Sequence, residues 1–280
     1  MFVYGRYFSY LLLIISLNSQ AQELHYFGSK NKYTVELLTH VLSYRPRENY
    51  QLIPFTEDMR KKRAFTFLAK KQVIDIVFAG ATKQRMKKFQ AIEFPLLKGL
   101  NGWRVPVVLK ANHNLFQTLD SMNKFKQLTP GLLYQWSDKK IMAFNNIDVT
   151  RGSSIEGLWG MLAKDRFDYF PRSILQVEQE VAAHNQLDIM IEPTTLIHYP
   201  TAYYFYVNKQ NSALAEDIKL GLEAALADGS FDEIFNRHYG KIINDMQSQQ
   251  RKVFHLVNPF LPESTPLQRK EFWLDLSTNN

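Results

Sequence analysis

One apolar run sets the fold class of this chain. Residues 73–78 read Val-Ile-Asp-Ile-Val-Phe, a nearly continuous and β-branched stretch. Such a run is typical of a parallel strand that is covered on both faces of its sheet. It ends at Ala-Gly-Ala-Thr (79–82), and a segment rich in Lys and Arg that reads as a helix begins near Lys83. A strand followed by a helix in this way indicates an α/β fold.

Strands and helices are predicted to alternate along most of the remaining chain. Further strands are expected at 24–27, 50–55, 105–109, 140–144, 166–170, 187–191 and 202–207. Apolar residues at helical spacing predict helices at 33–42, 155–162, 174–182 and 214–226, with a short last helix over 231–239. Because proline cannot donate a ladder hydrogen bond, Pro106 predicts that strand 105–109 is an edge strand or a crossing segment.

Length and composition limit the class of protein. The chain has 280 residues, 45% of them hydrophobic and 22% charged, with a formal net charge of +7. At about 150 residues per domain, this length predicts two compact units. The absence of Cys excludes disulfides, thiolate metal sites, a Cys nucleophile and the lipid anchor of a bacterial lipoprotein.

The first residues have the pattern of a secretory leader. Arg6 is the only charge before Glu23, residues 11–17 are mostly apolar, and Ser19-Gln20-Ala21 resembles a cleavage site. The alternative of a membrane anchor needs a run about 10 residues longer. We therefore expect residues 1–21 to be a cleaved signal peptide and the product to lie in the periplasm without a lipid anchor. Export also argues against nucleic acid as the natural partner.

No motif for catalysis or cofactor binding is present. The sequence lacks a phosphate-binding loop, a G-x-G-x-x-G turn, a nucleophile elbow and an H-E-x-x-H pair, and its seven His residues lie far apart. We therefore predict no metal and no cofactor. A paired-carboxylate site or a Ser/His/Asp triad assembled from distant positions stays open.

Three blocks in a fixed order resemble the amino-acid-binding branch of extracellular solute-binding family 3, the type II periplasmic binding proteins. The first block is 73–85, with its Asp-containing strand, Gly/Thr turn and T-x-x-R, followed by Phe94-Pro95. The second is LAKDRFDYFPR at 162–172, and the third is 208–239, where Asp-Gly-Ser precedes a short helix. The resemblance covers most of residues 23–245.

This resemblance implies a two-lobed α/β fold with two hinge crossings and a ligand held between the lobes. Applied here, lobe 1 is 22–102 plus 203–245 and lobe 2 is 105–199. The strands at 105–109 and 202–207 would be the hinge crossings. Residues 246–280 carry three prolines and are expected to form an extended tail over the surface.

The resemblance also implies where the ligand binds. Thr82 and Arg85 match the family's T-x-x-R, which binds the ligand carboxylate, and backbone N–H groups near Gly80 would add to it. In lobe 2 the family commonly has an Asp where this chain has Arg172. A guanidinium there would favour an anion, because its planar fork pairs with carboxylates. The alternative is a structural salt bridge from Arg172 to Glu178 or Glu180.

Three further residues are candidates for the site. Trp136 lies in a loop of lobe 2 and would stack on a ligand or pack in the core. Arg104 at the first crossing would reach the cleft or pair with a surface acid. Tyr203 in the second crossing would face the cleft or its back wall.

Together these features predict a periplasmic solute-binding protein rather than an enzyme. It would capture a small, polar, anionic, amino-acid-like organic solute by hinge closure, as a monomer that serves an inner-membrane permease or a sensor. Two other classes stay open: an exported enzyme with a binding-protein-like domain, and an orphan module on the same fold that binds a partner protein.

Overall fold

The computed structural model describes residues 21–28, 30–45, 50–56 and 59–277. Residues 1–20, which hold nearly all of the predicted signal peptide, lie outside the described residues. The strands are β1 (Gln22–Phe27), β2 (Tyr50–Pro54), β3 (Ile76–Gly80), β4 (Gln90–Ile92), β5 (Trp103–Leu109), β6 (Gly131–Leu133), β7 (Thr150–Gly152), β8 (Phe170–Ser173), β9 (Ile189–Ile191), β10 (Thr195–His198), β11 (Tyr203–Val207) and β12 (Lys252–His255). The α-helices are α1 (Lys32–Ser43), α2 (Lys61–Lys70), α3 (Lys83–Lys88), α4 (Met122–Phe125), α5 (Asp138–Phe144), α6 (Ile155–Leu162), α7 (Val177–Ala183), α8 (Ser212–Ala227) and α9 (Ser230–Ser248). Across these described ranges, no helix has the length and apolar character needed to cross a membrane.

The first sheet has the strand order β2-β1-β3-β11-β4. β1 runs parallel to β2 and β3, whereas β11 runs antiparallel to β3 and β4. The apolar run that sets the fold class becomes β3, as predicted, and the side chains of residues 76–79 are buried. It begins at Ile76 because Val73 is exposed and has a left-handed backbone conformation (φ 43°) in the turn after α2.

Helices α1, α8 and α9 pack together beside this sheet. Asn31 caps α1, whose Leu37, Leu38 and Val41 are fully buried. α8 approaches α1 so closely that a Cβ on Gly221 would lie 2.1 Å from the carbonyl oxygen of Val41. A glycine is therefore required at this helix crossing. We call the part of the chain built on the first sheet lobe 1.

The second sheet has the strand order β12-β10-β5-β8, with β9 also paired to β5, and we call the part built on it lobe 2. The prediction that Pro106 excludes β5 from a central position is wrong, since β5 pairs with strands on both sides. Pro106 is tolerated because it stands opposite Pro171. Its carbonyl accepts a hydrogen bond from the Glu192 N–H, between the ends of β9 and β10. No ladder bond there requires the missing N–H.

Two other elements differ from the prediction. The strand expected at 140–144 is the helix α5, which begins at Asp138 and buries Ile141 and Met142. The strand expected at 166–170 lies further along, as β8. The first error concerns a short apolar run, whose periodicity fits a strand or a helix equally well, and the second concerns only the position of the strand along the chain.

The chain passes between the two sheets near 102–103 and 199–203, just before the strands at 105–109 and 202–207 that were predicted as the crossings and that belong to the sheets themselves. The two connecting segments touch where the Tyr199 N–H donates to the Gly102 carbonyl over 3.2 Å. The end of the chain departs from the extended surface tail expected for 246–280. α9 continues to Ser248, and β12 then joins the second sheet beside β10. We call residues 252–276 the C-terminal strap, because they return from lobe 2 to lobe 1.

Candidate ligand-binding cleft

Two adjoining cavities lie between the lobes. Their volumes are about 430 Å³ and 420 Å³, within the range of small-molecule sites. The first cavity reaches from the end of β3 to α5 and the strap, and the second reaches from Arg104 to β8. Five residues line both cavities: Asn101, Arg104, Ser137, Asp138 and Tyr203. The two cavities therefore form one cleft with a shared polar centre.

Arg104 forms the centre of the cleft together with Asp138 and Tyr199. The Arg104 Nε–H donates to the Tyr199 hydroxyl over 2.8 Å, and Nη2 donates to Asp138 Oδ1 over 3.1 Å. The Tyr199 hydroxyl also donates to the same Asp138 oxygen. Arg104 thus uses two of its five N–H donors on described residues, and the others are available to a ligand.

This network fixes the charges at the centre of the cleft. Burial raises the pKa of Asp138, but the positive charge of Arg104 and the hydrogen bonds from Tyr199 and Arg104 outweigh it, so the pKa lies below its usual value. Burial raises the pKa of Tyr199, which keeps the phenol protonated. Asp138 is therefore an anion and Arg104 a cation under ordinary conditions.

Tyr203, Gly80 and Thr82 all line the first cavity. Tyr203 pairs with Gly80 across β11 and β3. Its ring lies 3.5 Å from the position that a Cβ on Gly80 would take. Thr82 caps α3 by accepting a hydrogen bond from the Arg85 N–H over 3.1 Å. The turn after β3 thus forms the lobe 1 wall of the cleft.

Arg85 does not line either cavity of the cleft. Its Nη1 donates to the Gly80 carbonyl over 2.6 Å, and the guanidinium carbon lies 5.2 Å from the centre of the Phe65 ring. The side chain lines a separate groove beside α2 and α3. The structure therefore does not bring Arg85 and Arg172 to one space from opposite sides.

Arg172 lies at the wall of the second cavity, and its side chain is only 5% exposed. Its Nε and Nη2 donate to the two carboxylate oxygens of Glu180 over 2.7 and 2.5 Å. The guanidinium carbon also lies 5.0 Å from the Trp136 ring centre and 4.6 Å from that of Phe170. The salt bridge to Glu180, one of the two alternatives for Arg172, is present in the structure.

Trp136 packs on a neighbouring aromatic ring and also borders the cleft. Its ring stacks on Phe170 with a centre-to-centre distance of 6.2 Å, and it lines the second cavity as well. Trp136 and Phe170 thus hold the Arg172 guanidinium, and Trp136 presents part of its surface to the cleft.

Comparison with solved structures places this architecture among known folds. A probable amino-acid ABC transporter extracellular-binding protein of Bacillus subtilis, YtmK, is 16% identical, with a TM-score of 0.58 over 79% of this chain and 99% of that one. A structure solved for glutathione import via GshT and the cystine ABC importer TcyBC of Streptococcus mutans is 15% identical, with a TM-score of 0.55 over 79% and 96%. An ancestral arginine-binding protein bound to arginine is 17% identical, with a TM-score of 0.52 over 78% and 98%.

The chain has the two-lobed fold of the extracellular amino-acid-binding proteins. No protein-family model and no curated protein sequence matches it. At identities of 15–17% the structural likeness establishes the fold, which confirms the fold expected from the resemblance.

Sequence reasoning missed several residues of this cleft. Asp138 is not among the predicted site residues because the sequence predicts a strand where α5 begins. Ser137-Asp138 is a helix-start signal, and it could have indicated this helix. Lys140 lines the first cavity from the same helix. Lys61 of α2 lies outside the lining of both cavities, with its Nζ 5.9 Å from the centre of the Tyr203 ring. Burial and the charge of Arg85 lower the pKa of Lys61.

Proposed function

We propose that this protein is a periplasmic solute-binding protein that captures a small, amino-acid-like organic acid in the cleft between its lobes. It binds the solute without catalysis and delivers it to an inner-membrane permease or reports it to a sensor. The fold of its structural neighbours supports a binding role, and the predicted signal peptide supports the location. The observation that carries the proposal is the position of Arg104 at the centre shared by both cavities.

The charge of the cleft favours a ligand with a carboxylate. Four cations line the two cavities, namely Lys83, Arg104, Lys140 and Arg172. Three of them form ion pairs, Lys83 with Glu263, Arg104 with Asp138 and Arg172 with Glu180, and Lys140 adds a further positive charge. Arg104 keeps unused donors in a planar fork, which is the geometry that binds a carboxylate through two hydrogen bonds. Asp138 beside it can accept hydrogen bonds from a ligand ammonium group.

A thermal-shift screen of the full chain tests the proposal. Amino acids, dicarboxylates, short peptides and sugars are the probes, and a ligand present at 100 times its dissociation constant adds about 2.7 kcal/mol of stability. Arg104→Gln should weaken the binding of the active probe by at least about tenfold. The matched control is Arg166→Gln, an exposed residue of lobe 2, which should bind like the wild type. No shift with any probe, or full binding by Arg104→Gln, would contradict the proposal.

The variant Asp138→Asn distinguishes an amino acid, which carries an ammonium group, from an organic acid that carries only negative charge. If the ligand is an amino acid, this change removes the negative charge beside its ammonium group and weakens binding. If the ligand is a purely anionic acid, the change removes a repulsive charge, and binding is kept or strengthened. Titration calorimetry of the variant with the active probe distinguishes the two results.

A further inference from the structure

The C-terminal strap is firmly attached to lobe 2 at its beginning. β12 pairs in parallel with β10, and the Phe254 ring stacks on Phe125 with a centre-to-centre distance of 4.4 Å and an interplanar angle of 9°. Just beyond β12, the Asn145 side chain donates to the Val257 carbonyl over 2.8 Å and accepts from the Val257 N–H over 3.0 Å. This part of the strap moves with lobe 2.

The end of the strap is attached to lobe 1. Arg269 forms two hydrogen bonds with the Glu223 carboxylate of α8, over 2.7 and 3.0 Å. The Phe272 side chain is 1% exposed and packs on Phe94 with a centre-to-centre distance of 4.4 Å. The Leu274 N–H donates to the carbonyl of Lys98 over 2.8 Å. Residues 269–274 therefore move with lobe 1.

Between these attachments the strap forms one wall of the first cavity. Asn258 donates to the Pro200 carbonyl over 2.9 Å beside the second crossing, which places the following residues along the cleft. Phe260 and Leu261 then line the cavity. Phe260 is 47% exposed, and the Lys140 Nζ lies 5.8 Å from its ring centre. A ligand in this cavity would cover that exposed aromatic surface.

The two cavities differ in chemistry around their shared polar centre. The first has apolar walls made by Ala81, Ile141, Ala202, Phe260 and Leu261. The second is lined mainly by polar groups, among them Gln135, Arg172, Ser173 and Gln176. Thr82, Lys83, Gln84 and Lys140 also line the first cavity, but its apolar walls give a solute whose carboxylate binds Arg104 a surface on which an apolar side group can pack toward Phe260.

We propose that the C-terminal strap is a specificity wall, and that Phe260 selects solutes with an apolar side group attached to a carboxylate-bearing head. This inference rests on the proposed function, because it assumes that the head binds at Arg104. The strap supplies a part of the site that neither lobe provides by itself, and the ligand contacts both lobes and the strap at once.

Titration calorimetry of the full chain with two matched series of probes tests this wall. The first series is glycine, alanine, leucine and phenylalanine, and the second is the corresponding 2-oxo acids, which share the side groups but lack the ammonium. In the wild type, affinity should rise with the size of the apolar group in whichever series binds. Phe260→Ala should reduce that rise by about tenfold or more for the leucine and phenylalanine side groups. The binding of the smallest member should change by less than about threefold.

Two further variants make the result specific. Leu267→Ala, at a strap residue that is 52% exposed and lies outside the cavity lining, should bind every probe like the wild type. Phe260→Leu keeps an apolar wall and should retain most of the preference. An equal loss for all probes in Phe260→Ala, or no loss, would overturn the inference. Equal affinity of the wild type for acids with small and large side groups would also overturn the inference, but the proposed function would stand. If the wild type binds no organic acid at all, the proposed function itself fails.

Discussion

A pair of histidines that joins the strap to lobe 2 should make the protein sensitive to acid. His198 of β10 and His255 of β12 stand opposite each other, with their Nδ1 atoms 3.3 Å apart. The His198 ring also stacks on Trp103, with a centre-to-centre distance of 4.1 Å. Burial and the proximity of His255 lower the pKa of His198 from 6.5 to about 4, although the carboxylate of Asp275 opposes this effect.

The sign of the effect follows from which state of the protein takes up the proton first. As the pH falls below about 6.5, His198 becomes protonated in the unfolded chain, whereas in the folded protein it stays neutral down to about pH 4. Protonation therefore favours the unfolded chain. The contribution of His198 to stability is fully present above pH 6.5 and is lost as the pH falls toward 4. The difference between the two pKa values corresponds to about 3 kcal/mol of unfolding free energy.

Urea unfolding at pH 7 and pH 4 measures this loss. The key variant is His198→Phe, which keeps an aromatic ring against Trp103 and removes the titration. Between the two pH values the wild type should lose about 3 kcal/mol more than His198→Phe. The control is His113→Phe, an exposed histidine of lobe 2, which should follow the wild type. Parallel pH profiles for the wild type and His198→Phe would refute the reasoning.

Two further comparisons test the packing of the lobes. Gly221→Ala should lower the free energy of unfolding by about 1–3 kcal/mol, because its Cβ would collide with a backbone carbonyl of α1. The control is Gly160→Ala on α6, whose Cβ would meet no atom within 4 Å. This variant should raise the free energy of unfolding by up to about 1 kcal/mol. Equal unfolding free energies for the two variants would count against the close helix crossing. Arg172→Ala should cost about 3 kcal/mol because it leaves the Glu180 carboxylate unpaired, whereas Lys124→Ala breaks an exposed ion pair and should cost less than about 1 kcal/mol. A stable Arg172→Ala protein that loses ligand binding would instead assign Arg172 to the ligand.

The sequence predicts the fold class, the two-lobed architecture and one ion pair. The run at 73–78 predicted β3 and the α/β class, and the order of the three blocks predicted the two-lobed fold. The bidentate salt bridge from Arg172 to Glu180 was one of the two alternatives, because the residues are close in sequence and a guanidinium fits a carboxylate. The two partners of this salt bridge lie only eight residues apart in the chain.

The wrong predictions concern the direction in which a side chain points and the pairing of strands that are far apart in the sequence. The sequence places Arg85 after a turn, but it does not say that the guanidinium turns back to the Gly80 carbonyl instead of facing the cleft. The strap was taken for a surface tail because β12 pairs with a strand some 57 residues earlier, and no local pattern reveals that pairing. Asp138, at the centre of the cleft, was lost with the helix that carries it.

The late position of β12 in the chain has a consequence for how the protein is made. β10 has its partner on one side only after residues 252–255 have been synthesised. Until β12 has paired with it, β10 has an unpaired edge, which is a template for pairing with another chain. A chain that lacks residues 252–255 is thus exposed to aggregation, because these residues protect this edge.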